Sequence, residues 1–97
     1  MVIATARVVL HIPASRSLKD KRQVVRSLLA QVQRQFSVTA AETEQQDRWQ
    51  VAVLGIAAIS GEAPHAEEVL SKAVNFVAGR NPEAQLVDYQ TELLHVW

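Results

Sequence analysis

Residues 2–12 have the sequence VIATARVVLHI, in which two sets of side chains alternate along the chain. One set is entirely apolar and comprises Val2, Ala4, Ala6, Val8, Leu10 and Ile12. The other set includes the polar residues Thr5, Arg7 and His11. Because successive side chains of a strand point to opposite faces, this two-residue period predicts a strand with one drier face, which ends at Pro13.

A helix is predicted after this strand, because apolar residues recur at spacings of three and four. They are Leu18, Val25, Leu28, Leu29, Val32 and Phe36. Ser15 or Ser17 is placed to cap the helix, since a serine oxygen accepts hydrogen bonds from the free amides of a first turn. Residues 37–44 then favour a short strand, and the polar residues 43–48 favour a hairpin loop.

The second half of the chain shows the same order of strand, helix and strand. Residues 49–60 are the most apolar stretch and show little alternation, which is typical of a central strand that is dry on both faces. Pro64 suits a first helical turn, and Gly79 with Pro82 ends that helix. Its apolar stripe comprises Ala66, Val69, Leu70, Ala73, Val74 and Val77. Residues 85–94 favour a last strand. One of its sides is predicted to carry Val87, Tyr89, Thr91 and Leu93.

These elements predict an α+β fold for one domain formed by residues 1–97. The expected architecture is a ferredoxin-like βαββαβ sandwich, with a four-stranded antiparallel sheet and both helices on one of its faces. The first and third strands are expected in the centre, parallel to each other. The second face of the sheet is then uncovered, and its apolar members such as Ile3 and Val9 need a partner. A homodimer through this open sheet face is therefore predicted.

Composition excludes several classes of chemistry. Without cysteine the chain has no disulfide, thiolate zinc site, iron–sulfur cluster or cysteine nucleophile. The three histidines, His11, His65 and His95, share no metal-binding spacing, and no glycine-rich phosphate loop or nucleophile elbow occurs. We therefore predict no cofactor, no metal and no catalytic residue.

The same sequence predicts a cytoplasmic protein. Arg7 and His11 interrupt the apolar residues near the amino terminus, which argues against a signal peptide. No stretch approaches the roughly 20 apolar residues that a membrane span requires, so no membrane contact is expected.

Charge is divided unequally along a chain whose net charge is zero. Residues 1–34 contain seven Lys and Arg residues and one Asp, a net charge of +6, which leaves −6 for the remainder. Such a division either creates a basic face for an anionic partner or lets the two halves of the folded chain attract each other.

Three cations of the first helix are predicted to form a ridge. At about 100° per residue, Lys19, Arg22 and Arg26 fall within one narrow sector of the helix. Three positive groups at this spacing suit the phosphates of a nucleic-acid backbone, because each neutralises one charge without contacting a base. The alternative is an ordinary solvated helix face.

Three further residues are candidates for the same anion-binding or RNA-binding site. Lys21 falls on the apolar side of the helix, where a lysine extends past the rim, pairs with an acid such as Asp88 or Asp47, or binds a ligand. His11 lies at a strand end, where it makes a structural hydrogen bond or transfers protons. Trp49 either stacks on a base or packs in the core, and packing in the core is the better-favoured of the two.

Several segments together resemble the YlxP-like family of uncharacterised bacterial proteins. They are residues 11–13 (HIP), 17–22 (SLKDKR), 47–50 (DRWQ) and 54–57 (LGIA). The positions that match are His11, Ser17, Lys19, Lys21, Arg22 and Trp49. The resemblance implies a ferredoxin-like fold and a gene neighbourhood shared with translation and ribosome-maturation factors, and it implies no activity.

The function expected from these features is that of an accessory protein that binds RNA or the ribosome. The alternative is a homodimeric module that binds another protein or a small ligand and has no nucleic-acid role. An enzyme of acylphosphatase type, which shares this order of strands and helices, comes third. The arginine-bearing glycine loop of that family is absent here, because residues 13–16 have the sequence PASR in its place.

Overall fold

The structure is a computed structural model that describes residues 1–97. Four strands and two helices follow one another in the predicted order. They are β1 (Val2–His11), α1 (Leu18–Gln35), β2 (Thr39–Glu44), β3 (Val51–Ser60), α2 (Ala63–Arg80) and β4 (Gln85–His95). This is the α+β, ferredoxin-like arrangement that the sequence predicts. Neither helix is long and apolar enough to cross a membrane.

The sheet has the strand order β2-β3-β1-β4, and all three neighbouring pairs are antiparallel. The central positions of β1 and β3 are confirmed, but the prediction that these two strands are parallel is wrong. Because helix α1 connects β1 to β2, these two strands run in the same direction. The hairpin between β2 and β3 then places β3 between them, antiparallel to both.

The core lies between the helices and one face of the sheet, and the alternation in β1 decides that face. The five even-numbered residues of β1 are buried, whereas its odd-numbered residues are only half-buried. Helix α1 buries Val25, Leu28 and Val32 against this layer. Helix α2 contributes five buried side chains, Ala66, Leu70, Ala73, Val74 and Val77. Burying a Val or Leu side chain stabilises the fold by roughly 1.5–3 kcal/mol, and burying an Ala side chain by less.

Two strands differ from their predicted patterns. The helix-facing side chains of β3 are buried. On the other face Ile59 is 63% exposed, so the prediction that both faces are buried is wrong at the carboxyl end of the strand. β4 contains a bulge at Val87, because Asp88 pairs with Val9 while Leu86 pairs with Leu10. Because of this extra residue, Leu86 lies on the helix-facing side. Val87 therefore does not share a face with Tyr89, Thr91 and Leu93, although the alternation predicts that it does.

The open face of the sheet is divided by an ion pair. Arg7 on β1 donates from Nε (2.5 Å) and Nη2 (3.0 Å) to the Glu44 carboxylate on β2, across the position of Gly55. A Cβ at Gly55 would lie 2.9 Å from Thr43 Cγ2, so glycine allows the bulged residue Thr43 to approach closely. The apolar residues of this face are therefore split into two groups. A homodimer through the open face stays a prediction.

Candidate functional site

Two loops meet at one end of the sheet, and Gln50 joins them. The Ile12 amide donates to the Gln50 carbonyl (2.8 Å), which continues the ladder beyond β1. The Gln50 side chain donates from Nε2 to the carbonyls of Pro13 (3.1 Å) and Ser15 (3.2 Å). Residues 12–17 and 45–50, which we call the loop end, are thus tied together through one glutamine.

The start of α1 is fixed to the loop end by reciprocal capping bonds. The Asp20 amide donates to Ser17 Oγ (3.0 Å), and the Arg16 amide donates to Asp20 Oδ2 (2.9 Å). Ser17 is therefore the N-cap residue, one of the two that the sequence offered. The other, Ser15, is buried and donates from Oγ to the Ser17 carbonyl.

Lys21 is completely buried, and its ammonium holds the loop between β2 and β3. Nζ donates to three backbone carbonyls, those of Gln45 (2.8 Å), Gln46 (3.3 Å) and Val51 (3.2 Å). It also lies 2.9 Å from Glu42 Oε2. Of the three alternatives for this lysine, the structure shows pairing with an acid, although the acid is Glu42 and neither Asp88 nor Asp47.

The contact between Lys21 and Glu42 is ionic and is not a directed hydrogen bond. An ammonium has three protons, and three carbonyls already accept from this one. Glu42 Oε2 is accordingly a buried oxygen that accepts no hydrogen bond, although the positive charge is within ion-pair distance. Lys21 therefore has no proton left for a phosphate, and its contribution to any site is to hold the loop in place.

The cationic ridge of Lys19, Arg22 and Arg26 is exposed along its whole length. None of the three side chains takes part in an ion pair, whereas Arg7, Lys21 and Lys72 each have an acidic partner. Asp20, the one acid of the first turn, projects from the opposite side of the helix and accepts from the Arg16 amide. Three neighbouring positive charges are thus left without compensation by the protein.

The ridge lies on the side of α1 that faces the edge strand β2. Gln33 falls within the same angular sector of the helix. Its Oε1 accepts from the Ala40 amide on β2 (3.2 Å). The opposite flank faces α2, where Gln31 accepts from Arg80 Nε. The three cations therefore occupy the outer flank of the molecule, on the side of the loop that Lys21 holds.

Trp49 lies at the surface of the loop end, with 56% of its area exposed. The better-favoured expectation of a core tryptophan is therefore wrong. A groove of about 630 Å³ is lined by His11, Asp47, Arg48, Trp49, Gln50 and Val51. His11 is half-buried on the open face, and its side chain does not make the structural hydrogen bond that is one of the two expectations for it. Its neighbours Trp49 and Arg48 supply an aromatic surface and a cation without an acidic partner.

The structure thus sorts the six predicted residues into three groups. Lys19, Arg22 and Arg26 form one exposed ridge, while His11 and Trp49 line one groove. Lys21 lies beneath them and positions the loop that leads to Trp49. Sequence reasoning missed Glu42, which forms the ion pair with Lys21, and Gln50, which joins the two loops by hydrogen bonds. It also passed over Arg48, whose position beside Trp49 was the available signal.

Comparison with known proteins places this geometry in a family context. The chain is 39% identical over 61 residues to a Bacillus subtilis (strain 168) protein called "Uncharacterized protein YlxP". That match covers 63% of this chain and 66% of the relative, slightly less than two thirds of the relative's length. Residues 3–91 match the family described as "Protein of unknown function (DUF503)". This match extends from β1 into β4, and so the chain belongs to the DUF503, or YlxP-like, family.

Proposed function

We propose that this is a cytoplasmic protein that binds RNA, alone or on the ribosome, through the outer flank of α1 and the adjoining loop end. The observation that carries the proposal is the unpaired ridge of Lys19, Arg22 and Arg26. The acidic residues Glu42 and Glu44 of β2, the strand on the same side of the molecule as the ridge, are engaged by Lys21 and Arg7 and so do not neutralise it. The ridge is thus available to phosphates.

A nucleic acid fits the ridge better than a single small anion does. Positions 19, 22 and 26 span about two turns of helix, or roughly 10 Å, which exceeds the size of one phosphate. Charges spread over that length match successive phosphates of a strand. This arrangement, like the gene neighbourhood implied by the family resemblance, supports RNA as the partner.

Trp49 adds a contact that suits a single strand. An exposed indole offers a flat surface on which a base stacks, a contact worth about 1–3 kcal/mol per base. Arg48 and His11 lie in the same groove and supply donors to phosphate or sugar oxygens. The loop is held by Lys21 and Gln50 before any ligand arrives, so binding would order few additional groups.

The test measures RNA binding as a function of salt. Wild-type affinity for single-stranded RNA should fall with salt by a log–log slope of roughly 0.7 for each phosphate contact. Changing Lys19, Arg22 and Arg26 together to Gln should weaken binding and make the slope shallower by about two units. The matched control changes Arg34, Lys72 and Arg80 to Gln, which removes the same charge elsewhere and should leave the slope nearly unchanged. Equal slopes for both triple variants would refute the ridge as the binding site.

A separate substitution distinguishes stacking from charge. Trp49→Leu should reduce RNA affinity roughly fivefold to a hundredfold, and it should leave the salt slope as in the wild type because no charge is removed. If wild-type protein binds neither RNA nor purified ribosomal subunits at low salt, where the electrostatic attraction is strongest, the proposed function is wrong.

A further inference from the structure

Between Asp88 and His95, beyond the bulge at Val87, the outer edge of β4 lacks most of the features that usually protect an edge strand. With 11 residues β4 is the longest strand, and only one of its sides is paired, with β1. It contains no Lys, Arg or Pro, the residues that commonly block edge pairing. Val87 and Tyr89 are 63% and 52% exposed, and Leu94 is exposed as well. Such an edge is a template for another strand.

The hydrogen-bond ladder shows which backbone groups face outward. The Val96 amide donates to the Met1 carbonyl (2.9 Å), so this pair is bonded. Antiparallel pairs alternate between bonded and non-bonded, and the register from there to Asp88 is unbroken. The even-numbered residues of β4 in this stretch therefore bond to β1. Tyr89, Thr91 and Leu93 direct their amides and carbonyls toward the free edge.

We propose that a second copy of this chain covers this edge, with its own β4 antiparallel to the first and a two-fold axis at Thr91. The two sheets would then form one continuous sheet of eight strands. Antiparallel pairing of identical strands is self-complementary, as a two-fold interface requires. This interface uses the edge of the sheet, and it is independent of both the open face and the ridge.

The side chains of β4 select the position of the axis. With the axis at Thr91, threonine lies opposite threonine, and Gln90 lies opposite the partner's Glu92. Tyr89 lies opposite the partner's Leu93, which gives two aromatic–aliphatic pairs. An axis one residue earlier would place Asp88 opposite the partner's Glu92. An axis one residue later would place Glu92 opposite itself, and like charges in direct opposition are destabilising.

Axes further along the strand are less suitable. An axis at Tyr89 would place the bulge at Val87 only two residues from the centre of the pairing, whereas the axis at Thr91 leaves it at the end. An axis at Leu93 would shorten the paired segment. The axis at Thr91 pairs residues 87–95, from the bulge to the last residue of the strand. Both acids of β4 then face uncharged residues, which is why a second β4 is a suitable occupant.

The first experiment measures molecular mass by sedimentation or light scattering at high micromolar concentration. Wild type should have twice the 10.7 kDa mass of one chain. Thr91→Lys and Thr91→Glu, each alone, should have the mass of one chain, because like charges meet at the axis. An equimolar mixture of the two should recover the dimer mass. Thr39→Lys, an exposed threonine on the β2 edge, is the matched control and should remain dimeric.

The mixing step guards against a variant that merely fails to fold, since unfolded chains would not form a heterodimer. A monomeric wild type would overturn the proposal. So would a Thr91→Lys protein that keeps the dimer mass, or a mixture that stays monomeric.

The second experiment reads the register directly. The chain has no cysteine, so a single introduced cysteine can form a disulfide only with its own copy. Thr91→Cys places two Cα atoms about 5.5 Å apart at the axis, within the range of a disulfide. It should form a covalent dimer in an oxidising buffer. Gln85→Cys lies far from its copy in this register and should stay monomeric on a non-reducing gel. Cross-linking at residue 85 and none at residue 91 would refute the register.

Discussion

The two edges of the sheet differ in length and in protection. β2 has six residues, contains a bulge at Thr43 and has its Ala40 amide covered by the Gln33 side chain. β4 has 11 residues, and its outward amides between Tyr89 and Leu93 have no cover. Both strands contain a bulge, but β2 is short and covered, which hinders pairing with other chains, whereas β4 has a long uncovered segment beyond its bulge, which allows such pairing.

The difference follows from where α1 places its polar groups. One helix covers the β2 edge with Gln33, holds the adjoining loop with Lys21 and presents Lys19, Arg22 and Arg26 outward. Helix α2 contacts β4 but donates and accepts no side-chain hydrogen bond at its outer edge, and the side chains on both faces near Tyr89 are exposed. The β2 side is thus stabilised from within the chain and offers charge, and the β4 side offers an edge of backbone and apolar side chains.

The largest expected effect comes from removing Lys21. Lys21→Met keeps the length of the side chain but leaves the Glu42 carboxylate and three carbonyls without the ammonium. Breaking a buried pair in this way costs about 3–5 kcal/mol. Because Glu42 keeps some contact with water, we expect about 3 kcal/mol, measured as a loss in the free energy of unfolding by urea.

Two controls show whether the effect arises from this contact. Lys19→Met removes a charge from the same helix at an exposed position and should change stability by less than about 0.5 kcal/mol. Glu42→Gln should cost less than Lys21→Met, since the three carbonyls still accept from the ammonium. A Lys21→Met protein as stable as wild type would mean that the lysine is not needed to hold the β2 side.

The periodic parts of this structure could be predicted from sequence. The alternation in residues 2–12 and the stripes of α1 and α2 fix which faces are buried, because both patterns are local. The ridge on α1 could be predicted for the same reason, since helix geometry alone brings positions 19, 22 and 26 together. The position of Lys21 on the apolar stripe likewise indicates an unusual lysine.

The features that sequence reasoning missed depend on contacts between distant segments. The partner of Lys21 is Glu42 because β2 brings that residue under α1, and no local pattern distinguishes it from Asp47 or Asp88. The bulge at Val87 results from the pairing of β4 with β1, so single-strand alternation cannot show it. The hydrophobicity of Trp49 favours a position in the core, yet Gln50 and Lys21 hold the loop that carries it at the surface.

A second prediction removes the cover from the β2 edge. Gln33→Ala leaves the Ala40 amide without its acceptor, at an exposed position where water can replace the side chain. We expect a loss of about 0.5–1 kcal/mol in the free energy of unfolding and faster hydrogen exchange at Ala40. Gln35→Ala, at an exposed glutamine that makes no such bond, is the control and should change neither. Unchanged exchange at Ala40 in the Gln33→Ala protein would show that Gln33 does not protect this edge.

The smallest effect concerns the ion pair that ties β2 to β1 across the open face, a contact without a counterpart on β4. The hydrogen bond from Arg7 lowers the pKa of Glu44 below its usual 4.5, and the same bond raises the pKa of Arg7. A carboxyl whose pKa is lower in the folded protein adds stability above its unfolded pKa. That stability is lost as the pH falls through the folded value.

Glu44→Gln should therefore be less stable than wild type at pH 7, and the difference should vanish as the pH falls well below 4.5. The pair is exposed, with about 42% and 45% of the two side chains accessible, so the difference should also shrink in high salt. In an Arg7→Gln background, Glu44→Gln should no longer produce a pH-dependent difference, because the group that lowers the pKa is gone. A pH-dependent difference that persists in that background would mean that Glu44 draws its stabilisation from elsewhere on the open face. In that case Arg7 would not be the group through which Glu44 ties β2 to the open face.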